Sequence, residues 1–508
     1  MSFMTFNDML RRTAERLPDK TFLYWSDKNR SITYEEGEQI SDKVAGALAA
    51  LGVQKGDRVA IFAHNGLDYV MAMFGAWKLG AISAHFNVLV PDSLTYYAKN
   101  AEPKVLIYTG DKHPVIERDR PEMPSIEHYI CFDGPQEGSL DWNVLLSEAP
   151  DPPVVDVNEE DPAHLSYTSG SSGMPKGALL AHGFTARATH CIAERLRLSS
   201  ADVSLGPSSL ASSFHLVANL LPGIHRGVTI GLMTKWDAEV AWQEMDARGV
   251  TSFPGNPLLL AELLEVSRRH GRKPKALRMG LSGGAPAPPD LKRTYQDELG
   301  VFLIESYGQS ELGGFVALGS PQTESGDRLA AIGPALPDKE VRIVDEQGNE
   351  VPIGQPGEMV LRGGFMSGYW RMPEKTAETL RDGWLHTSDM GRMDSEGYIS
   401  MLGRWSERIV SDGKAIFPRP MEEALYRHSA VQYAAVIAKP DPKAGEIPKA
   451  IVSLHAGTSA TAEELLAHCH AELGVEGSPA TVEIIPEMPM TGTGKIGKAE
   501  LVQREQGL

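Results

Sequence analysis

Cysteine is scarce. The 508 residues contain three, Cys131, Cys191 and Cys469, far apart and odd in number. That pattern excludes a disulfide framework and points to a reducing compartment. Long hydrophobic runs are missing, so no stretch reads as a bilayer span. The N-terminus has charges from Asp8 onward and no apolar core of a targeting signal, and the expectation is a cytoplasmic protein. Positive charge is in deficit: 49 Lys and Arg against 67 Asp and Glu give −18. Such a surface disfavours nucleic acid or an anionic membrane as main partner, and any anion site must build its own local positive potential.

What is present is an ordinary globular composition, 42% apolar and 23% charged, with 50 Gly and 34 Pro that suggest many tight loops. The length allows roughly three to five structural units at about 100–200 residues each. Helix and strand signals alternate through the first two thirds. Residues 35–51 carry Ile40, Val44, Leu48 and Leu51 at helical spacing before Gly52. Arg58–Phe62, Ala81–Phe86 and Val105–Tyr108 read as strands, and Leu67–Leu79 as an apolar helix. Residues 134–162 read as a surface connection. The middle continues with helices near Ala238–Arg248 and Pro257–His270 and strands near Val228–Leu232 and Leu277–Leu281. From about Lys339 short strands and turns suggest a small β-rich subdomain. After a boundary near Arg404–Glu407 comes a compact α+β module. Its helices read as Met421–His428 and Ala462–Leu473. Its strands read as Ala434–Ala438, Ala450–Leu454 and Thr481–Ile485.

The strongest local signal is Tyr167-Thr168-Ser169-Gly170-Ser171-Ser172-Gly173-Met174-Pro175-Lys176-Gly177, read as following a short apolar/polar stretch, His164–Tyr167, and preceding an Ala-rich helix. Small hydroxyl residues and glycines let backbone N–H groups converge into an anion nest, and Lys176 adds a point charge; the natural guest is a polyphosphate. Pro175 stands where a Walker A loop requires glycine. A bare Gly/Ser linker would not need the closing Pro-Lys-Gly. Gly492 to Gly497 matches the spacing of a dinucleotide loop, but the few residues left after it cannot complete a βαβ unit. His468-Cys469-His470 could suggest a metal, yet adjacent helical residues do not share a face.

Further motifs follow in order: Tyr307-Gly308-Gln309-Ser310-Glu311, Gly357-Glu358 with Arg362-Gly363, Gly368-Tyr369-Trp370, Trp384 to Asp389, Gly403-Arg404 through Gly413 to Pro418 with Glu422-Glu423, and Pro489 to Ile496 around Lys495. Together with the loop at 167–177 they resemble the motif series of the adenylate-forming superfamily: acyl-CoA synthetases, nonribosomal adenylation domains and firefly luciferase. Ser171-Ser172 replaces the usual Thr-Thr, and Ser388 the usual glycine.

The resemblance implies an α/β fold. A large N-terminal adenylation core, residues 1–404, would combine parallel α/β sheets with the β-rich subdomain. A small mobile α+β lid would occupy 405–508. It implies an AMP-forming acid–thiol ligase using ATP, Mg²⁺ and coenzyme A. Lys495 would stabilise charge at the α-phosphate. Glu311 would hold Mg²⁺, with the Thr168 hydroxyl sharing it. Thr168, Ser169, Gly170, Ser171, Ser172, Gly173 and Lys176 would cradle the β and γ phosphates, and Ser310 the α-phosphate. Tyr307, between Ser306 and Gly308, would stack on adenine, with Gly283, Gly284 and Ala285 as the facing wall. Asp389 would accept the ribose hydroxyls and Arg404 would contact ribose or phosphate. Ser406 would be the pivot of a domain rotation, although the family usually carries Asp or Lys there, and Gly413 would line the pantetheine channel.

Phe214-His215 resembles the family's aromatic–histidine element, and His215 is either a gate to the acyl pocket or a packed core residue. Ser212–Leu221 contains no arginine for a second carboxylate, so the expected acid is an aliphatic or aromatic monocarboxylate. A stand-alone enzyme loading an acyl or amino acid onto a carrier protein is the alternative. No Asp lies between Asp202 and Asp237 to pair with an α-ammonium, and an unpaired buried amine is costly. A degenerate nucleotide-binding regulator is the non-enzyme alternative, opposed by Lys176, Glu311, Asp389, Arg404 and Lys495 occurring together. A second copy of the chain, forming a homodimer, is left open.

Overall fold

The computed structural model describes residues 4–168, 174–321, 326–455, 457–490 and 496–506. Two eight-stranded sheets form its bulk. The first runs in the order Gly314–Leu318, Phe302–Gln309, Met279–Ser282, Ser252–Gly255, Val203–Gly206, Thr229–Leu232, Thr21–Trp25, Arg30–Thr33. Its interior pairs are parallel and its edge pairs antiparallel. The second runs Gly368–Tyr369, Gly177–Ala181, Pro162–Tyr167, Ile82–His85, Arg58–Phe62, Val105–Tyr108, His128–Cys131, Leu140–Asp141. The fold is therefore α/β, as the alternating pattern predicts.

One core joins the two sheets, because helices between them bury apolar residues toward both. Leu67–Lys78 is apolar nearly all round, and ten of its residues are buried, as such a helix must be. It crosses Tyr34–Ala50 at glycine: a Cβ on Gly75 would lie 2.2 Å from Val44 Cγ1. Thr33 and Glu36 close the start of Tyr34–Ala50 with a reciprocal capping box.

A third, antiparallel sheet contains Glu340–Val344, Gly357–Arg362, Trp384–Met393, Tyr398–Arg404 and Gly333–Pro334. A fourth begins at Ile409–Ser411 and is dominated by the long hairpin Val431–Asp441 and Gly445–Leu454, backed by Pro418–Tyr426 and Ala462–Leu473.

Two local expectations change. Residues 134–162 are not merely a connection: Leu140–Asp141 joins the second sheet and Asp141 caps a short helix, Trp142–Ser147. Trp142 is buried and donates to Asp68. The loop at 167–177 does not lead into a helix. Gly177–Ala181 is a strand antiparallel to Pro162–Tyr167, and the helix starts only at His182. The Gly-Ala-Leu-Leu-Ala sequence favours helix, but burial beside Pro162–Tyr167 overrides that local preference.

Candidate active site

The 167–177 loop is the tip of an antiparallel hairpin. Its ends are tied by Thr168 N–H donating to Lys176 O at 2.9 Å and Lys176 N–H donating to Thr168 Oγ1 at 3.3 Å. Tyr96 adds a hydrogen bond to Pro175 O. Ser169, Gly170, Ser171, Ser172 and Gly173 lie outside the described residues, as does Lys495. The hairpin base presents Lys176, whose ammonium sits 4.4 Å from the centre of the Tyr369 ring.

Tyr369 connects this loop to the second motif. Gly368–Tyr369 pairs with the Gly177–Ala181 edge. The Tyr369 hydroxyl donates to Glu311 Oε1 at 2.5 Å. Burial, then the nearby Glu311 charge, push the Tyr369 phenol well above its ordinary range, so it stays a donor. Glu311 sits in a tight turn after Phe302–Gln309 and is only 8% exposed. Ser310 Oγ lies 3.3 Å from Ser213 Oγ, beside the Phe214 element.

Across the same strand, Tyr307 OH and Gln309 Nε2 both donate to Asp389 Oδ2, at 2.7 and 2.6 Å. Arg404 Nε is 3.5 Å from Asp389 Oδ1. Asp389 is buried in the third sheet, where it pairs in register with Arg404. Burial raises its carboxyl above the ordinary range, against the pull of Arg404, Tyr307 and Gln309. The preceding Ser388 has φ +58, the left-handed conformation that ordinarily calls for glycine.

Gly283 is buried against Phe214. A Cβ there would lie 2.2 Å from Phe214 Cε2 and 2.6 Å from Ser306 Oγ, which itself donates to Ser282 O. Gly308 is confined likewise by Gly314 O. Gly284 is exposed with φ +79, and Ala285 is half-buried beside it. Phe214 also faces Phe315 at 5.9 Å.

His215 is a packed histidine. Its Nδ1–H donates to Ser208 O at 2.7 Å and its Nε2 accepts from Asn219. Burial pulls its pKa down to about 4, so the ring is neutral. It is followed by a π-helical turn, Leu216–Leu220, just before Pro222, which has no N–H to continue an α-helix. Gly413 is not brought to this cluster: it lies on an exposed hairpin, with nothing within 4 Å of its Cβ position. Among the described residues no group of three or more His, Cys, Asp or Glu could hold a metal. His468 instead bonds Ala424 O and Cys469 is buried.

Tyr369, Gln309 and Ser213 are the participants that motif reading did not single out. Tyr369 and Gln309 lie inside recognised motifs, but only the tertiary contacts give them partners.

A family model described as AMP-binding enzyme matches residues 10–370, and one described as AMP-binding enzyme C-terminal domain matches 420–495. The feruloyl-CoA synthase of Amycolatopsis sp is 32% identical over 479 residues, covering 93% of this chain and 94% of its own. The long-chain-fatty-acid–CoA ligase of Bacillus subtilis (strain 168) is 30% identical over 538 residues, covering 99% and 94%. The crystal structure of the anthranilate CoA ligase AuaEII in complex with anthranoyl-AMP superposes with a TM-score of 0.93 at 27% identity, covering 100% and 98%. ATP-bound MatB from Rhodopseudomonas palustris gives 0.89 at 26%, covering 99% of each chain.

Proposed function

This chain belongs to the AMP-binding enzyme family, and from that premise we propose that it is an ATP-dependent carboxylate–CoA ligase. In the first step a carboxylate oxygen attacks the α-phosphorus of ATP, and pyrophosphate leaves. In the second the CoA thiol, losing its proton, takes the acyl group and AMP leaves. The observation that carries this reading is the joining of four motifs around one site: Lys176 against Tyr369, Tyr369 on Glu311, and the strand bearing Tyr307 and Gln309 on Asp389.

The first step brings an anion to an anion, so its barrier falls where donors and cations are fixed in advance around the phosphates. Thr168 to Gly173 and Lys176 supply the nest, Ser310 the α-phosphate contact and Lys495 the cation at the α-phosphate. Asp389 receives the ribose. Two donors already fix its Oδ2, and Oδ1, facing Arg404 at 3.5 Å, is the freer oxygen. Tyr307 with Gly283, Gly284 and Ala285 frames adenine.

The donor set suits Mg²⁺. That ion takes one or two protein carboxylates and fills its shell from substrate phosphates and water. Glu311 is a buried carboxylate with Oε1 on Tyr369, and its Oε2, with the Thr168 hydroxyl, is our assignment for the metal. When bound, the ion neutralises phosphate charge.

The acid is an aliphatic or aromatic monocarboxylate, supported by Phe214, Phe315 and the bare face of Gly283. Residues 405–508 form the lid, pivoting at Ser406 between the steps. The free thiols fit the cytoplasm, and among the described residues no helix is long and apolar enough to cross a membrane. The deciding experiment is a pyrophosphate-release screen over short, medium, long, aromatic and amino acids, with CoA, with a carrier-protein thiol and with neither. Release by a monocarboxylate and thioester only with CoA supports the reading; silence with every acid ends it.

A further inference from the structure

Arg419 lies in the first turn of Pro418–Tyr426, within the proposed lid, yet only 5% of its side chain is exposed. Its Nη2 donates to Glu305 Oε1 at 3.2 Å, and its Nε donates to Glu423 Oε1 at 2.7 Å. Glu305 belongs to the other body. It sits on Phe302–Gln309, two residues before Tyr307. Its Oε2 holds Lys292 Nζ at 3.0 Å, and its Oε1 also accepts from Ala287 N–H, at the end of the loop that starts with Gly283. Lys292 is fully buried and donates again to Ala331 O. Burial would raise the Glu305 carboxyl, but Lys292 and Arg419 together hold it below its ordinary range, so the four groups alternate in sign.

We propose that Arg419 is a positioning residue for adenylate formation: a reversible latch that docks residues 405–508 on Glu305 while the Gly413 hairpin is withdrawn from the site. This rests on the two-step reading above. The withdrawn hairpin is visible in the exposure of 412–415 and the empty surroundings of Gly413. A lone buried charge stripped of its partner would resist separation. Here each half carries its own counter-ion, Lys292 with Glu305 and Arg419 with Glu423, so the halves part without stranding a charge. That is what a lid that must swing in every turnover needs. The shared Oε1 also ties the docked state to the Gly283 loop through Ala287.

The test uses the full chain with Cys191→Ser and labelled cysteines at Glu374→Cys and Glu476→Cys, read by energy transfer. The unlatched comparison is Arg419→Gln; Arg419→Lys keeps the charge, with a smaller shift expected, and decides the matter if the glutamine variant does not fold. The parent should give one dominant distance and Arg419→Gln a second, populated one. Pyrophosphate release should fall about tenfold, while acyl transfer from supplied acyl-adenylate to CoA holds or rises. Unchanged distances overturn the latch. So does an equal fall in both half-reactions, which marks a merely structural arginine. If even the parent releases no pyrophosphate with any acid, the ligase reading fails and the distances alone decide the latch.

Discussion

The Tyr369 hydroxyl donates to Glu311 from 58 positions along the chain, and the same ring carries the Lys176 ammonium on its face. One side chain thus ties together the cation proposed for phosphate and the carboxylate proposed for the metal.

Removing that hydroxyl separates the two jobs. Tyr369→Phe keeps the ring under Lys176 but leaves a buried carboxylate oxygen without its donor, a loss of about 1.5–3 kcal/mol for a charged hydrogen bond. The Mg²⁺ concentration for half-maximal pyrophosphate release should rise about tenfold or more. Glu311→Gln should weaken the Mg·ATP dependence further. A magnesium titration that is the same for all three proteins would remove Glu311 from the site.

Four buried histidines, His85, His164, His182 and His215, and the half-buried His225 are neutral. Burial holds His85, His215 and His225 at about 4 and His182 at about 3, with His164 also well below 6.5. Below about 6.5 the unfolded chain takes up protons that the folded chain refuses. The stability is therefore complete above 6.5 and is lost as pH falls toward 4, at up to about 1.4 kcal/mol per pH unit for each ring. Urea unfolding at pH 7, 6 and 5 should show this slope, and a flat profile would mean the rings are not neutral in the fold.

Ser388 holds a left-handed backbone just before Asp389, with its N–H on Glu358. Ser388→Gly removes the Cβ conflict and keeps that bond. It should stabilise the protein by about 1 kcal/mol without loss of adenylation. An unchanged or lower urea midpoint would show that the serine is not strained.

Lys495→Ala should abolish adenylate formation and spare thioester formation from supplied acyl-adenylate. Ser406→Pro should do the reverse, because a fixed φ at the proposed pivot opposes rotation. Parallel assays of the two half-reactions on both variants check the division of labour; matching losses would contradict it.

The sequence alone carried whatever is local or repeated in order. Helices such as Ala238–Arg248 and Ala462–Leu473 were legible in place and type. So was the motif series, because a phosphate nest needs small residues at fixed spacing. The tertiary structure decided what depends on a neighbour distant in sequence. Gly177–Ala181 is a strand because Pro162–Tyr167 lies beside it. Asp389 is a buried acceptor because Tyr307 and Gln309 arrive from another sheet. Arg419 meets Glu305 across 114 positions. Local spacing records which conformations a segment prefers and which chemistry it carries. It holds no record of long-range partners, since those contacts exist only once packing has brought separate elements together.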